Sequence, residues 1–536
     1  MMEKKIRGVE QELAINSTPS LPSSSLVHLV GLAIEELKVR GLVTNVRVEE
    51  ERLDYLALNG SRVYNDMSHL ELSTPSYNTP LEAVIYDKVA ELFTYYAVKG
   101  LKGYFKEINA YKNNVSNVPK GNGVDPWWAV SYSTHASILM DRSVCNLGVW
   151  GWVEEALVPF IVTRPLLTGG GDMVPSLKAG GFKRGVKGVG GDTLSYVISP
   201  RAFFIKRISS NDTVDARGLL NQRDDPHADP EKYWRLHDIH FEGLRSPYQI
   251  YLRDCLETLV MTAYERGYLK NPPKLADPVN AIKELSGDVE ACQWKIELAD
   301  GNRVDAVSEI LEGFYLAGVE EMLRQNEITE TDKMGFNLVE ATLHGLGERR
   351  LEYFLDGLDW VTKKMLIEEY ANGDLENSLA ICNQFTLIDD SVLKYLGEEV
   401  PSEQVYTTFN LEDAMEFARD AIPIVDWPEL ASQIARSLRN GPEGTRDYLR
   451  ALVAREFPFL LRSVEWERIN FKSMTINLPE PFGFNRAMCG DLEAKTETYA
   501  TFAQALRKIN VDERSFTLSP VDDHEFEDQG RVGGVN

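Results

Sequence analysis

"SRVYNDMSHLELST", residues 61–74, decides how the rest of the chain folds. Apolar and polar residues alternate on both sides of a short polar break, so the stretch reads as strand, turn, strand. Side chains two apart on a strand share a face. Arg62, Tyr64 and Asp66 therefore line one surface, with Glu71 and then Thr74 following after the turn. One sheet face gathers acids, an arginine and a phenol.

The stretch before it carries the same signature. "KIRGVEQELAIN", residues 5–16, alternates like a half-buried strand, with Val9 and Leu13 toward a core and Glu10 and Glu12 together on the other face. Neighbouring carboxylates repel, and a divalent cation offsets them. Mg²⁺ favours oxygen ligands and takes phosphate oxygens among them. An arginine forks onto phosphate, and an acid left over from metal binding can act as a base. The pattern points to a metal–nucleotide site on an antiparallel sheet.

"LLNQRDDPHADPEKYWRLH", residues 219–237, adds groups of the same kind. Arg223 and Arg235 can neutralise phosphates, His227 can ligate metal or touch a phosphoryl group, and Asp224, Asp225 and Asp229 can orient them. Locally the stretch reads as an Asx-type turn leading to a capped helix at Pro230. His135, in "SYSTHASIL", lies among small and apolar residues and reads as a satisfied core histidine. No CxxC or HExxH motif is present, and no Ser-His-Asp order.

Helical spacing marks 25–41, 80–101 and most of 250–400, with "NPPKLADP" as a break and Asp300-Gly301 as a hairpin turn. Residues 167–191 are glycine-rich without a closing GKS or GKT, so they read as a mobile surface loop, with a lid over the site as the alternative. Residues 1–404 form the expected catalytic domain and 405–515 a smaller mixed one. Residues 516–536, ending in "GGVN", are expected to be an acidic disordered tail.

The formal charge of −25 disfavours nonspecific binding to nucleic acid or an anionic membrane. No apolar run has the length of a membrane span, and the N-terminus has no secretory core. Five scattered cysteines suggest neither a zinc knuckle nor a disulfide framework, so a reducing cytoplasm is expected.

Taken in order, "IRGVEQELAI", "NGSRVYNDMSHLELSTPSYNTPLEAVIYDKVAE", "YKNNV", "LVPFIVTRPLLTGGG" and "NQRDDPHADPEKYWRLH" resemble the motifs of the Pup ligase and Pup deamidase family. The likeness continues to "VEWERINF" and so spans nearly the whole chain. It implies an α+β fold of the glutamine-synthetase-like carboxylate–amine ligases. That fold is a curved antiparallel sheet cradle backed by helices, with a small C-terminal α/β domain contributing to the nucleotide site. It also implies ATP and Mg²⁺ as cofactors. Glu10, Tyr64 and Glu71 correspond to the Mg²⁺ ligands, to which the reading of the residues adds Glu12 from the first strand and His227 from residues 219–237. Arg62, Thr74 and Trp466 correspond to ATP contacts, to which residues 219–237 add Arg223 and Arg235. Asp66 corresponds to the catalytic aspartate, which takes a proton from the incoming ammonium. A lysine pKa near 10.4 leaves few free amines at neutral pH, so that base is needed.

Three departures stand out. Where the family has HEN this chain has His135-Ala136-Ser137, which removes an acid expected in the cradle. One residue is missing between Asp66 and Ser68. Past His237 the family pattern gives way to "DIHFEGLRSP", where a changed substrate is expected. The resemblance implies an ATP-dependent ligase forming an amide or isopeptide bond through an acyl phosphate. An amidase or isopeptidase that keeps nucleotide as a cofactor is the alternative. Pup is acidic and its ligase holds it in a basic groove, so this acidic chain is expected to take another carboxylate. That acid is a small molecule, peptide or modifier protein, joined to an amine acceptor.

Overall fold

The computed structural model describes residues 2–18, 23–49, 53–112, 114–119, 127–132, 134–175, 194–214, 216–422, 426–506, 508–509 and 516–518. Fifteen strands among them form one sheet. They are β1 (Arg7–Thr18), β2 (Val43–Arg47), β3 (Asp54–Ala57), β4 (Arg62–Asp66), β5 (His69–Ser73), β6 (Glu107–Tyr111) and β7 (Thr134–Asp141). There follow β8 (Arg207–Ser210), β9 (Gly218–Asn221), β10 (Tyr233–Phe241), β11 (Leu387–Ile388), β12 (Leu461–Val464), β13 (Arg468–Phe471), β14 (Met474–Asn477) and β15 (Phe516–Leu518). The order is β8-β9-β10-β7-β1-β5-β4-β3-β2-β12-β13-β14-β15, with β6 joining β1 to β11. Pairs are antiparallel except β8 with β9 and β2 with β12. The sheet is therefore mixed.

Burial alternates along β1, as its sequence requires. Arg7, Val9, Gln11 and Leu13 are buried, and Gly8, Glu10 and Glu12 are half-buried. The buried face lies on the helices Pro80–Leu101 and Pro247–Glu265. Gln11 donates to Asp87 at 3.0 Å, and Arg7 Nε donates to Asp254 at 3.1 Å. The first helix starts at a capping box between Thr79 and Glu82 with Pro80 in its first turn. The other face of β1 is left for the site.

Two cores meet along the sheet. The larger includes these helices and also Phe409, Leu411, Ala414, Ala418, Leu430 and Ile434. The smaller joins Val46, Val48 and Leu56 of the first half to residues from Tyr448 to Leu506. Trp466 lies in the turn between β12 and β13, beside the seam.

Several expectations are corrected. Residues 167–174 are not loop but buried chain: a Cβ on Gly170 would lie 2.4 Å from Asn114 Nδ2, and Asp172–Pro175 pairs with Leu194–Val197. The remainder, 176–191, lies outside the described residues. The presumed tail begins with β15, which pairs with β14; residues 519–536 lie outside the described residues. No helix starts at Pro230. Tyr233 opens β10, because Trp234 and Leu236 are buried on one side while Arg235 and His237 serve the other. Past His237 the strand continues, and residues 238–249 are buried packing rather than a substrate mouth. Among the described residues no helix is long and apolar enough to cross a membrane.

Candidate active site

Residues directly opposite in antiparallel strands share a face, so the register assembles the site. Glu12 and Tyr64 both stand opposite Glu71, and Asp66 stands opposite His69 at the hairpin tip. On the other flank Glu10 faces His135, Ser137 faces His237, and Leu139 faces Arg235. A cavity of about 410 Å³ opens over this face. Glu10, Arg62, Tyr64, Asp66, Glu71, Thr74, Arg223, His227, Arg235 and Trp466 all border it. Glu12 is not at its wall but lies with Asp66 and Glu71.

Two trios could each hold a cation, their ligand atoms lying within 4.8 Å of one another: Glu10, His135 and His237; and Glu12, Asp66 and Glu71. His135 Nδ1 is 3.3 Å from Glu10 Oε2, and His237 Nε2 is 3.8 Å from the same oxygen. His135 is thus corrected from core residue to site residue. Ala136 is corrected too. It stands opposite Val9 and packs with Val9 and Phe241, on the face away from the acids, so no acid has been lost from the cradle there.

The electrostatics fit a missing positive charge. Burial raises Glu71 well above the usual carboxylate range, and Glu10 and Glu12 push it further. Burial, then Glu71 and Glu10, raise the Tyr64 phenol, which hydrogen-bonds Glu71. Burial and then Glu12 raise Asp66. Burial would also raise Glu10, but the neighbouring imidazoles of His135 and then His237 outweigh it and hold this carboxyl well below its ordinary value. Both nitrogens of buried His237 lack a hydrogen-bond partner. Oxygen-rich ligands beside two imidazoles suit a hard or borderline divalent cation. The residues present fit the Mg²⁺ expected of them.

His227 is placed elsewhere. Its nitrogens lie 3.4 Å from Asp225 and 3.9 Å from Glu467, and it belongs to neither trio. Burial and then Arg235 push it down to about 4. Asp224 is drawn away into a bidentate pair with Arg142, at 2.9 and 2.7 Å. Asp229 shapes the turn, accepting from the Glu231 amide and donating its own to Pro479. Arg62 is held by Asp54 at 2.8 Å and lies over the Tyr64 ring. His237 and Arg446 were not singled out in the sequence, yet both border the cavity. For His237 the signal was available: it stands two residues beyond Arg235 on the same strand.

A family profile described as Pup-ligase protein matches residues 33–470. The chain is 28% identical over 463 residues to a depupylase of Acidothermus cellulolyticus, covering 84% of this chain and 82% of that protein. It is 30% identical over 384 residues to a Pup–protein ligase of Xylanimonas cellulosilytica, covering 69% and 75%. Among solved structures, the complex of the prokaryotic ubiquitin-like protein Pup with its ligase PafA superposes with a TM-score of 0.70. That match has 19% identity and covers 95% of this chain and 94% of that one. The likeness confirms the α+β fold expected from the sequence.

Proposed function

This chain belongs to the Pup ligase family, an enzyme family of ATP-dependent carboxylate–amine ligases, and on that premise we propose that it joins a carboxylate to an amine through an acyl phosphate. A carboxylate oxygen attacks the γ-phosphorus of ATP and ADP leaves. The amine nitrogen then attacks the acyl carbon and phosphate leaves. Asp66 accepts the ammonium proton before that attack. Arg62, Arg223 and Arg235 neutralise the phosphates, and Thr74 and Trp466 hold the nucleotide. Glu10, Tyr64, Glu71 and Glu12 are the oxygens for the cation, with His135 and His237 beside Glu10. When bound, that cation neutralises the transferring phosphoryl group.

One observation carries the reading. Acids from β1, β4 and β5, arginines from β4 and β10 and an indole from the turn between β12 and β13 border one cavity. The acid partner is one other than Pup, because a net charge of −25 repels an acidic modifier unless its basic groups are gathered in one place. The work is assigned to the cytoplasm, in keeping with five unpaired cysteines, all buried.

A second reading is favoured by coverage. The depupylase aligns with 84% of this chain, the Pup–protein ligase with 69%. It would make the enzyme an amidase or isopeptidase retaining nucleotide as a cofactor. Product analysis decides. The ligase releases ADP and phosphate only when acid and amine are both supplied; the hydrolase cleaves an amide without stoichiometric ATP use. AMP and pyrophosphate would overturn both. Asp66→Asn should keep ADP affinity while turnover falls roughly 10²–10⁴-fold, the usual worth of a general base.

A further inference from the structure

Asp447 is fully buried and does not border the cavity, yet it joins three segments that do. It stands in the first turn of the helix Asp447–Glu456, whose Leu449, Leu452 and Val453 belong to the second core. Its Oδ2 accepts the Ser76 amide at 3.0 Å and the Ser76 hydroxyl as well. Its Oδ1 accepts from Arg450 Nη1. Thr445 completes the clasp, donating its hydroxyl to the Ser76 carbonyl at 2.8 Å.

Each segment carries a residue assigned above to the nucleotide. Ser76 follows Thr74, whose hydroxyl accepts the Val9 amide at 3.1 Å, so the chain leaving β5 is pinned from both sides. Arg450 lies 4.2 Å from the Trp466 ring centroid and donates Nε to the Glu465 carbonyl at 2.9 Å, which fixes the turn between β12 and β13. Gly60, in the turn leading to Arg62, closes on the same carboxylate. It has φ 89°, which glycine adopts readily, and a Cβ there would come within 3.3 Å of Asp447 Oδ1. The cation ligands are held differently. Glu10, Glu12, Tyr64 and Glu71 lie within β1, β4 and β5, and strand pairing sets them.

We infer that Asp447 is a positioning residue for the nucleotide contacts: one buried carboxylate sets Arg62, Thr74 and Trp466 relative to one another, across the line where the two cores meet. The inference rests on the nucleotide reading above and goes beyond it, since Asp447 itself touches no ligand. A carboxylate suits the task because its two oxygens accept from both halves of the molecule at once. Burial makes the loss of either partner costly. An asparagine of the same shape presents one oxygen, so its nitrogen must turn either on the Ser76 donors or on Arg450.

The test uses the full chain and two probes, Mg²⁺·ADP titrated calorimetrically and Mn²⁺ alone followed by its paramagnetic signal. Asp447→Asn should weaken ADP roughly 10-fold while Mn²⁺ stays within about two-fold, since contact residues work together only when held to about 0.5 Å. Ser76→Ala removes one hydroxyl and leaves the buried charge paired with Arg450. It should weaken ADP by about three-fold, the worth of one hydrogen bond, with Mn²⁺ again unchanged. Melting curves separate binding from folding. A lower melting temperature with wild-type ADP affinity would show that Asp447 serves folding alone and would overturn the inference. Equal losses of ADP and Mn²⁺ would overturn it too. If Asp447→Asn does not fold, Ser76→Ala decides on the same two readings. Wild-type protein that binds no ADP overturns the nucleotide reading, and the role of Asp447 with it.

Discussion

Tyr64 donates its phenolic hydrogen to Glu71, which stands opposite it on the neighbouring strand. Both groups are pushed up by burial and by nearby carboxylates, so each relies on the other until a cation arrives. Tyr64→Phe removes one hydroxyl and leaves Glu71 without that donor. Affinity for Mn²⁺, followed by its paramagnetic signal, should fall about 10–100-fold, as for removal of a group that orients a metal ligand. An unchanged affinity would remove Tyr64 from the cation site. At this scale period two made the site legible: Glu10, Glu12, Arg62, Tyr64, Asp66 and Glu71 all follow from counting along a strand. His135 did not, because its sequence neighbours are apolar. Those neighbours face the other side of β7, and only the pairing with Glu10 shows which side the ring takes.

The hairpin joining β4 to β5 explains the residue missing between Asp66 and Ser68. Its loop is Met67-Ser68 alone, both with positive φ, 46° and 80°. Asn65 Oδ1 accepts the Ser68 amide at 3.0 Å and fixes the turn. Such two-residue turns favour Asn-Gly, because ordinary side chains are strained at those angles. Replacing Met67-Ser68 by Asn-Gly should stabilise by about 1 kcal/mol. In a chain this long that raises the melting temperature by only about 1–2 °C. A lower melting temperature would show that the native pair makes contacts the turn geometry does not reveal. The strands of this hairpin were legible in sequence, and the tightness of the turn was not. The glycines at 169–171 misled in the opposite direction. Read as loop formers, they are there because Ile198, Asn114 and Tyr196 leave no room for a Cβ.

Across the whole molecule, the helix Pro80–Leu101 shows where sequence patterning stops being informative. Asp87, Lys88 and Glu91 look like the solvated stripe of an amphipathic helix, yet all three are fully buried. Their partners come from elsewhere in the chain. Lys112 reaches Glu91 at 3.1 Å and Arg245 reaches it at 3.4 Å, while Lys88 lies 2.9 Å from Glu91 and 3.2 Å from Asp87. Three cations thus surround two carboxylates beneath the face that carries the site, joining segments more than a hundred residues apart. Burial would raise Glu91, but Lys88, Arg245 and Lys112 outweigh it and bring it down to about 2. A carboxyl held below its unfolded value stabilises the fold at pH above that value, near 4.5, and loses the contribution as pH falls toward 2. The stake is roughly 3 kcal/mol. Glu91→Gln leaves three cations facing one anion, and breaking such a buried set costs about 3–5 kcal/mol. The variant should melt several degrees lower at pH 7. Its melting temperature should also fall less steeply than wild type's between pH 4.5 and 2, because the group that titrates there is gone. Parallel curves across that window would mean that Glu91 is not what ties the acid response of the fold to the network under its active face.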